Sequence, residues 1–366
     1  MVVSSRSVKS SSSGLAARLY NAIGFKKLYN FILWFIFAGA MFGFVLARAM
    51  YLDFNGHYCP AESRNGDSAA PGECYYYRNF LRYKIGILLH LAGILPASLL
   101  AVFQFTPFIR QRWIAFHRVC GYLAVMLYIL SLAGVLMIAR HALGGSLDVQ
   151  AWCGFVGFAV LFCFVLSIVN IKRLQIEQHR AWMLRGWFYA GSIITSRFIM
   201  ILAAVITSDR GYYTVWTCAK IVSTISDRSL VLLVQDYPSC KSYANGSNPE
   251  QVAAVSANLT GGSSANVGAA LNISFGAALW LAFNMHAMGI EVYLRLTPRE
   301  AERLRLVSYA RQVEAGMPNA GSAGLTADRL GDSDKWAASV SMVSDSSIND
   351  ALLSSPEGAT QTQDST

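Results

Sequence analysis

The chain has 366 residues, 54% of them hydrophobic and only 14% charged, with a formal net charge of +9. Soluble domains carry about 25% charged residues, and here the missing charge falls in long apolar runs, each long enough to cross ~30 Å of hydrocarbon as a helix. That excludes a soluble enzyme, a nucleic-acid binder whose charge reads phosphates, and a small disulfide scaffold, since seven cysteines are few for this length.

Six segments qualify as spans: 29–50, 85–105, 113–139, 152–171, 186–207 and 267–290. The fold class is therefore all-α, a polytopic membrane helix bundle of six transmembrane helices within residues 29–290, with the lipid bilayer as its partner. Basic residues orient it, because cytoplasmic flanks collect Lys and Arg. Residues 1–28 hold Arg6, Lys9, Arg18, Lys26 and Lys27 without an acid. Basic clusters follow the second, fourth and sixth spans, at Arg110, Arg112 and Arg118, at Lys172, Arg173, Arg180 and Arg185, and at Arg295, Arg299, Arg303 and Arg305. Both termini should be cytoplasmic, in the plasma membrane or a secretory-pathway membrane. Ala47-Arg48-Ala49 has the form of a cleavage site, but the apolar run before it is too long for a signal peptide, so the first span reads as an uncleaved anchor.

The exoplasmic loops hold Cys59 and Cys74 in one and Cys218 and Cys240 in the other, and pairing within each loop closes the shorter rings. Four cysteines still allow three connectivities. Cys120, Cys153 and Cys163 lie on spans, as small apolar packing residues. The long loop, 208–266, should be a packed cap in its first half and a flexible strand from 239 to 264, with sequons at Asn245 and Asn258; a third, at Asn272, lies inside the last apolar run. Residues 291–314 should form a juxtamembrane amphipathic helix, opened by a capping box with Pro at its first position, Thr297-Pro298-Arg299-Glu300. Residues 315–366, with seven acids against Arg329 and Lys335, read as a disordered acidic tail.

Within residues 85–202, His90 and Gly93 are followed by Gln104-Phe105, His117-Arg118, Gly121, Gly144-Gly145, His179-Arg180-Ala181-Trp182-Met183-Leu184-Arg185 and Arg197. This series resembles the domain-of-unknown-function family 2306 (DUF2306), predicted multi-pass membrane proteins, although Val119 and Tyr122 stand where many members carry Trp and Arg. The resemblance implies a fold and no chemistry.

Ionisable side chains within spans are costly and default to functional candidates. His117, His179 and His286 fall at one depth toward the cytoplasmic side. Such imidazoles could bind haem b axially or a zinc-like metal, with Arg180 and Arg185 available to a haem propionate. The outer face offers only His90, unless His141 bends in. The plainer reading has the His-Arg pairs and Trp113, Trp182 and Trp187 anchoring the spans at the interface, with no cofactor. Arg197, about 17 Å in from the cytoplasmic end, lacks an acid at its depth. With His90 it forms a candidate substrate site for a small anionic or amphipathic compound. Gly93 with Ala97, and Gly154 with Gly157, are candidate close-packing positions. Three functions remain: transmembrane redox or metal chemistry, transport of such a compound, and a scaffold without a small ligand. Nothing points to nucleic acid, and no protein partner is legible.

Overall fold

The computed structural model describes residues 15–60 and 69–338. In chain order its helices are α1 (Leu15–Ala22), α2 (Leu28–Ala49), α3 (Glu73–Asn79), α4 (Leu81–Gln104), α5 (Pro107–Arg112), α6 (Ile114–Ile138), α7 (Leu147–Lys172) and α8 (Ile176–Thr207). Next come strand β1 (Tyr213–Thr217), α9 (Cys218–Val222), α10 (Leu230–Asp236), α11 (Lys241–Ala244) and strand β2 (Val252–Ser256). The chain then continues through α12 (Ser264–Leu296), α13 (Pro298–Glu314) and α14 (Ala327–Leu330). Among the described residues six helices are long and apolar enough to cross a membrane: Leu28–Leu52, Leu81–Gln104, Ile114–Ile138, Leu147–Lys172, Ile176–Thr207 and Ser264–Leu296. They coincide with the six expected spans. Two run longer than the apolar runs alone indicate, because α8 and α12 continue beyond the hydrocarbon-length segment into polar turns.

The chain divides into two compact units, Met1–Cys153 with Ile194–Leu279, and Gly154–Ile193 with Trp280–Thr366. In the first, α4 packs along α6 with almost nothing between the two backbones. A Cβ on Gly93 would lie 2.6 Å from the Leu127 carbonyl oxygen, and one on Gly134 would lie 2.5 Å from that of Gly86. Small residues permit this approach, and Ala97 is fully buried beside them. Gly154 behaves otherwise, with nothing within 4 Å of its would-be Cβ. It makes no close contact of the kind expected.

The loop between α8 and α12 builds a cap. Aromatic and β-branched residues favour extended backbone at Tyr213–Thr217. β1 pairs antiparallel with β2, Trp216 opposite Ala253 and Thr214 opposite Val255. Alternation turns Trp216, Ala253 and Val255 inward, where they join Cys218, Ile221, Leu233 and Cys240 in one core cluster. The expected flexible stretch is therefore pinned in its middle by a ladder that polar composition does not reveal. The disulfides are Cys59–Cys74 and Cys218–Cys240, one per loop, as expected. Cys120, Cys153 and Cys163 are free and buried.

In the second unit, α7 ends where Leu174 takes a left-handed φ of 54°, and α8 starts two residues later. Against that turn lie α13 and the segment after it. Part of the tail expected to be disordered is thus placed. Gln175 and Gln312, both fully buried, hydrogen-bond one another and the backbone of Gly321 and Gly324. Backbone donors and acceptors, to which composition is blind, hold residues 315–336; residues 339–366 lie outside the described residues. The capping box is also corrected: Thr297 starts α13 without a side-chain cap, its hydroxyl donating instead to the Tyr293 carbonyl at 3.0 Å.

Candidate functional site

The cap end of the first unit gathers charge out of water. Pro71 and Gly72, the latter at φ +82°, turn the chain into α3, so that Glu73 opens that helix and Cys74 anchors it to Cys59. Glu73 is 4% exposed. Its Oε2 accepts a hydrogen bond from the Tyr77 hydroxyl at 3.1 Å, and the carboxyl also meets the Leu143 backbone. Across from it, Thr217 caps α9 by accepting from the Lys220 backbone N–H. Lys220, 2% exposed, follows the second disulfide by two residues. Its Nζ lies 3.7 Å from the Trp216 ring centre and 5.5 Å from that of Tyr76. The Glu73 carboxyl is pushed up by burial and drawn back down by the Lys220 charge. Burial likewise pushes the Lys220 amine down, to about 8, against the pull of Glu73.

Around this pair the ring of Tyr76 stacks on His141 at 3.9 Å, and His141 Nε2 meets the Tyr83 hydroxyl at 3.0 Å. Burial first, then Arg140 and Lys220, hold the His141 imidazole near 4, hence neutral. His141 is thus a cap residue held by two tyrosines. Asn272 on α12 is 5% exposed with neither amide atom hydrogen-bonded, and it lies against Gly144. That burial removes its sequon from consideration as a glycan acceptor.

Below the pair are the two residues singled out as a substrate site. His90 Nδ1 lies 2.9 Å from the Ser131 hydroxyl, bridging α4 and α6. Arg197 places its guanidinium 4.8 Å from the Phe275 ring centre. Arg197 acts electrostatically on His90, Tyr58 and Glu73. The acid that acts on Arg197 is Glu73, which lies outside the spans. Because α8 ends at Thr207, Arg197 is about 15 Å along the helix from the cap end.

The histidines expected to share a cofactor divide between the units. His117 belongs to the first, and His179 and His286 to the second. His179 Nδ1 meets the Ser167 hydroxyl at 2.7 Å and its carbonyl at 3.1 Å; His286 Nδ1 donates to the Phe188 carbonyl at 2.8 Å. Arg180 donates to the Tyr293 hydroxyl, while Arg185 holds Glu291 through two hydrogen bonds of 2.6 and 3.0 Å. Arg185 is therefore already committed to a carboxylate of the protein. Among the described residues no group of three or more His, Cys, Asp and Glu is placed to hold a metal ion.

Glu73, Lys220 and Trp216 lie outside the spans and Asn272 carries no charge, so a search for ionisable residues within spans does not reach them. A usable signal existed: Glu73 adjoins Cys74, and Lys220 is two residues past Cys218. The cysteines mark where the loops between spans are pinned.

Six apolar helices with little sheet make this a multi-pass membrane protein of the helical class. Residues 87–231 match the family described as Predicted membrane protein (DUF2306), over much of the segment where the resemblance lay. The chain is also similar to "Ava biosynthesis cluster protein G" of Aspergillus versicolor, with 22% identity over 316 residues, covering 74% of this chain and 90% of that one. No solved structure matches.

Proposed function

We propose that the protein binds a small amphipathic compound with an anionic head beneath the disulfide-pinned cap, in order to move or convert it, and that the cap faces the exoplasm of the plasma membrane or a secretory-pathway membrane. One observation carries this reading: the charges of Lys220 and Arg197 act on a single carboxyl group, Glu73, whose own charge burial disfavours. An excess of positive charge in apolar surroundings favours an anion with an apolar body. The biosynthesis cluster in the name of the Aspergillus versicolor relative suits a small organic compound. The test is binding of decanoate and of methyl decanoate to purified protein in nanodiscs. Decanoate should bind at least tenfold more tightly, and Arg197→Gln should remove the difference. Equal binding of acid and ester would refute the reading. Uptake into vesicles then separates transport from conversion.

A second reading retains the redox role, with haem b on the inner face. Its specific support is the Nδ1 hydrogen bond of His286 to a backbone carbonyl and that of His179 to Ser167, which orient each ring as such bonds orient ligating imidazoles. Protein expressed with a haem supplement should then show a Soret band that His179→Ala and His286→Ala each abolish. A colourless preparation removes this reading.

A further inference from the structure

The amine of Lys220 sits in surroundings that a purely structural lysine does not need. A lysine can bury its stem and keep its ammonium in water, yet this one lies inside with Trp216 and Tyr76 against it. The space it occupies depends on Gly72, where a Cβ would come within 2.5 Å of Lys220 Cε. Nearby polar groups have unmet hydrogen-bonding capacity: both amide atoms of Asn272 and Trp216 Nε1, while the Glu73 carboxyl beyond its Tyr77 bond has the Leu143 backbone. The carboxyl and the amide both adjoin the turn at Leu143 and Gly144. Buried polar atoms are satisfied almost everywhere in proteins, so several unmet ones near a buried amine mark a place for a ligand's polar atoms.

We propose that Lys220 is a carbonyl-capturing amine, forming a reversible imine with a small apolar aldehyde or ketone, while Glu73 and Asn272 handle the carbonyl oxygen. The balance is simple. The neutral amine nitrogen bonds to the carbonyl carbon, the oxygen becomes a hydroxyl on the adduct, and the C–O bond breaks as that hydroxyl leaves as water. Glu73 Oε1 supplies the proton that the leaving oxygen needs and recovers one from the nitrogen, so no oxidant or reductant enters. Burial keeps a useful fraction of the amine uncharged and favours a protonated carboxyl, the forms these roles require. The inference rests on the reading above only in placing the ligand beneath the cap.

The test uses full-length protein in nanodiscs, nonanal, and sodium cyanoborohydride to trap any imine at pH 7, with peptide mass spectrometry of every lysine. Lys220 should be alkylated at tenfold lower aldehyde than the exposed Lys241. Glu73→Gln, which keeps an acceptor for Tyr77, should slow Lys220 labelling at least fivefold and leave Lys241 unchanged. If Lys220 stays unmodified in wild-type protein while exposed lysines react, the proposal is overturned without recourse to any variant. Decanoate binding without Lys220 labelling overturns the imine alone. Labelling without decanoate binding supports the imine and overturns the anionic head.

Discussion

Lys220 Nζ lies 3.7 Å from the centre of the Trp216 ring, four residues before it in the chain, so the end of β1 and the first turn of α9 fold a cation onto an aromatic face. Such contacts are worth up to about 2 kcal/mol when desolvated, less than the cost of burying an ammonium alone. The Glu73 carboxyl adds an electrostatic pull on the same amine.

Stability should therefore depend on pH through this pair. The folded-state pKa of Lys220 is depressed to about 8, so its contribution is present above the unfolded value and lost as pH falls through about 8. The Glu73 pKa is raised, so its contribution is present below the ordinary carboxylate range and lost as pH rises through the folded value. In a Glu73→Gln background, which removes the upward pull on the amine, thermal unfolding should show stability rising with pH from below 8 toward 10. Adding Lys220→Met should flatten that rise. A profile unchanged by the second substitution would mean that the amine is solvated.

The contact between α4 and α6 should tolerate no side chain at Gly134. Even alanine would place a Cβ 2.5 Å from the Gly86 carbonyl oxygen and 2.6 Å from the His90 amide nitrogen. Those atoms are backbone and cannot swing away. We expect Gly134→Ala to lower stability by about 2 kcal/mol or more, measured by thermal unfolding in detergent. Gly154→Ala, with open space around it, should change it by less than about 0.5 kcal/mol.

What the sequence showed and what it hid follow one division. Apolar runs set the six helices because hydrocarbon imposes length and periodicity alike, and two cysteines per loop set the disulfides. The cap ladder, the Glu73–Lys220 pair and the packing of Gly321 on Gln175 were hidden because each joins residues far apart in the chain through hydrogen bonds or charge. Arg197 has no acid at its own depth on a span, and the acid that acts on it, Glu73, lies outside the spans. Loop acids can fold down onto helix ends, as Glu73 does.

Glycosylation should differ between the two loop sequons. Asn245 is exposed in the turn after α11, whereas Asn258 donates its amide to Asp209 Oδ1 at 2.7 Å and accepts from the backbone of Thr260 and Gly261. A glycan on Asn258 must break the bond to Asp209. We expect one glycosidase-sensitive shift on gels, removed by Asn245→Gln and barely altered by Asn258→Gln. No shift in either, together with modification of a sequon engineered at the C-terminus, would invert the proposed orientation.

The last prediction concerns Gln175, at the turn between α7 and α8. Its side-chain oxygen accepts from the Gly324 backbone at 2.8 Å and from Gln312 at 2.9 Å, and its amide donates to Glu177 at 2.5 Å and to the Gly321 carbonyl at 2.9 Å. Four partners thus converge on one fully buried amide. Asn170 adds a fifth bond by accepting from the Leu325 backbone. Removing the Gln175 side chain leaves the buried Gly324 N–H without its acceptor and the Gly321 carbonyl with Arg305 alone, and an unmet buried backbone group costs about 1–3 kcal/mol. Gln175→Ala should therefore release residues 315–336 as a segment. The measurement is limited proteolysis of the purified protein, in which cleavage after Arg329 should accelerate at least tenfold while the transmembrane helices stay protected. Arg305, whose guanidinium bonds Asp328, Ser322 and the Gly321 carbonyl, offers an independent check. Arg305→Gln should produce the same cleavage with Gln175 intact. If neither variant alters cleavage, the segment is held by something other than these side chains, and hydrogen bonding at Gln175 is incidental to its order.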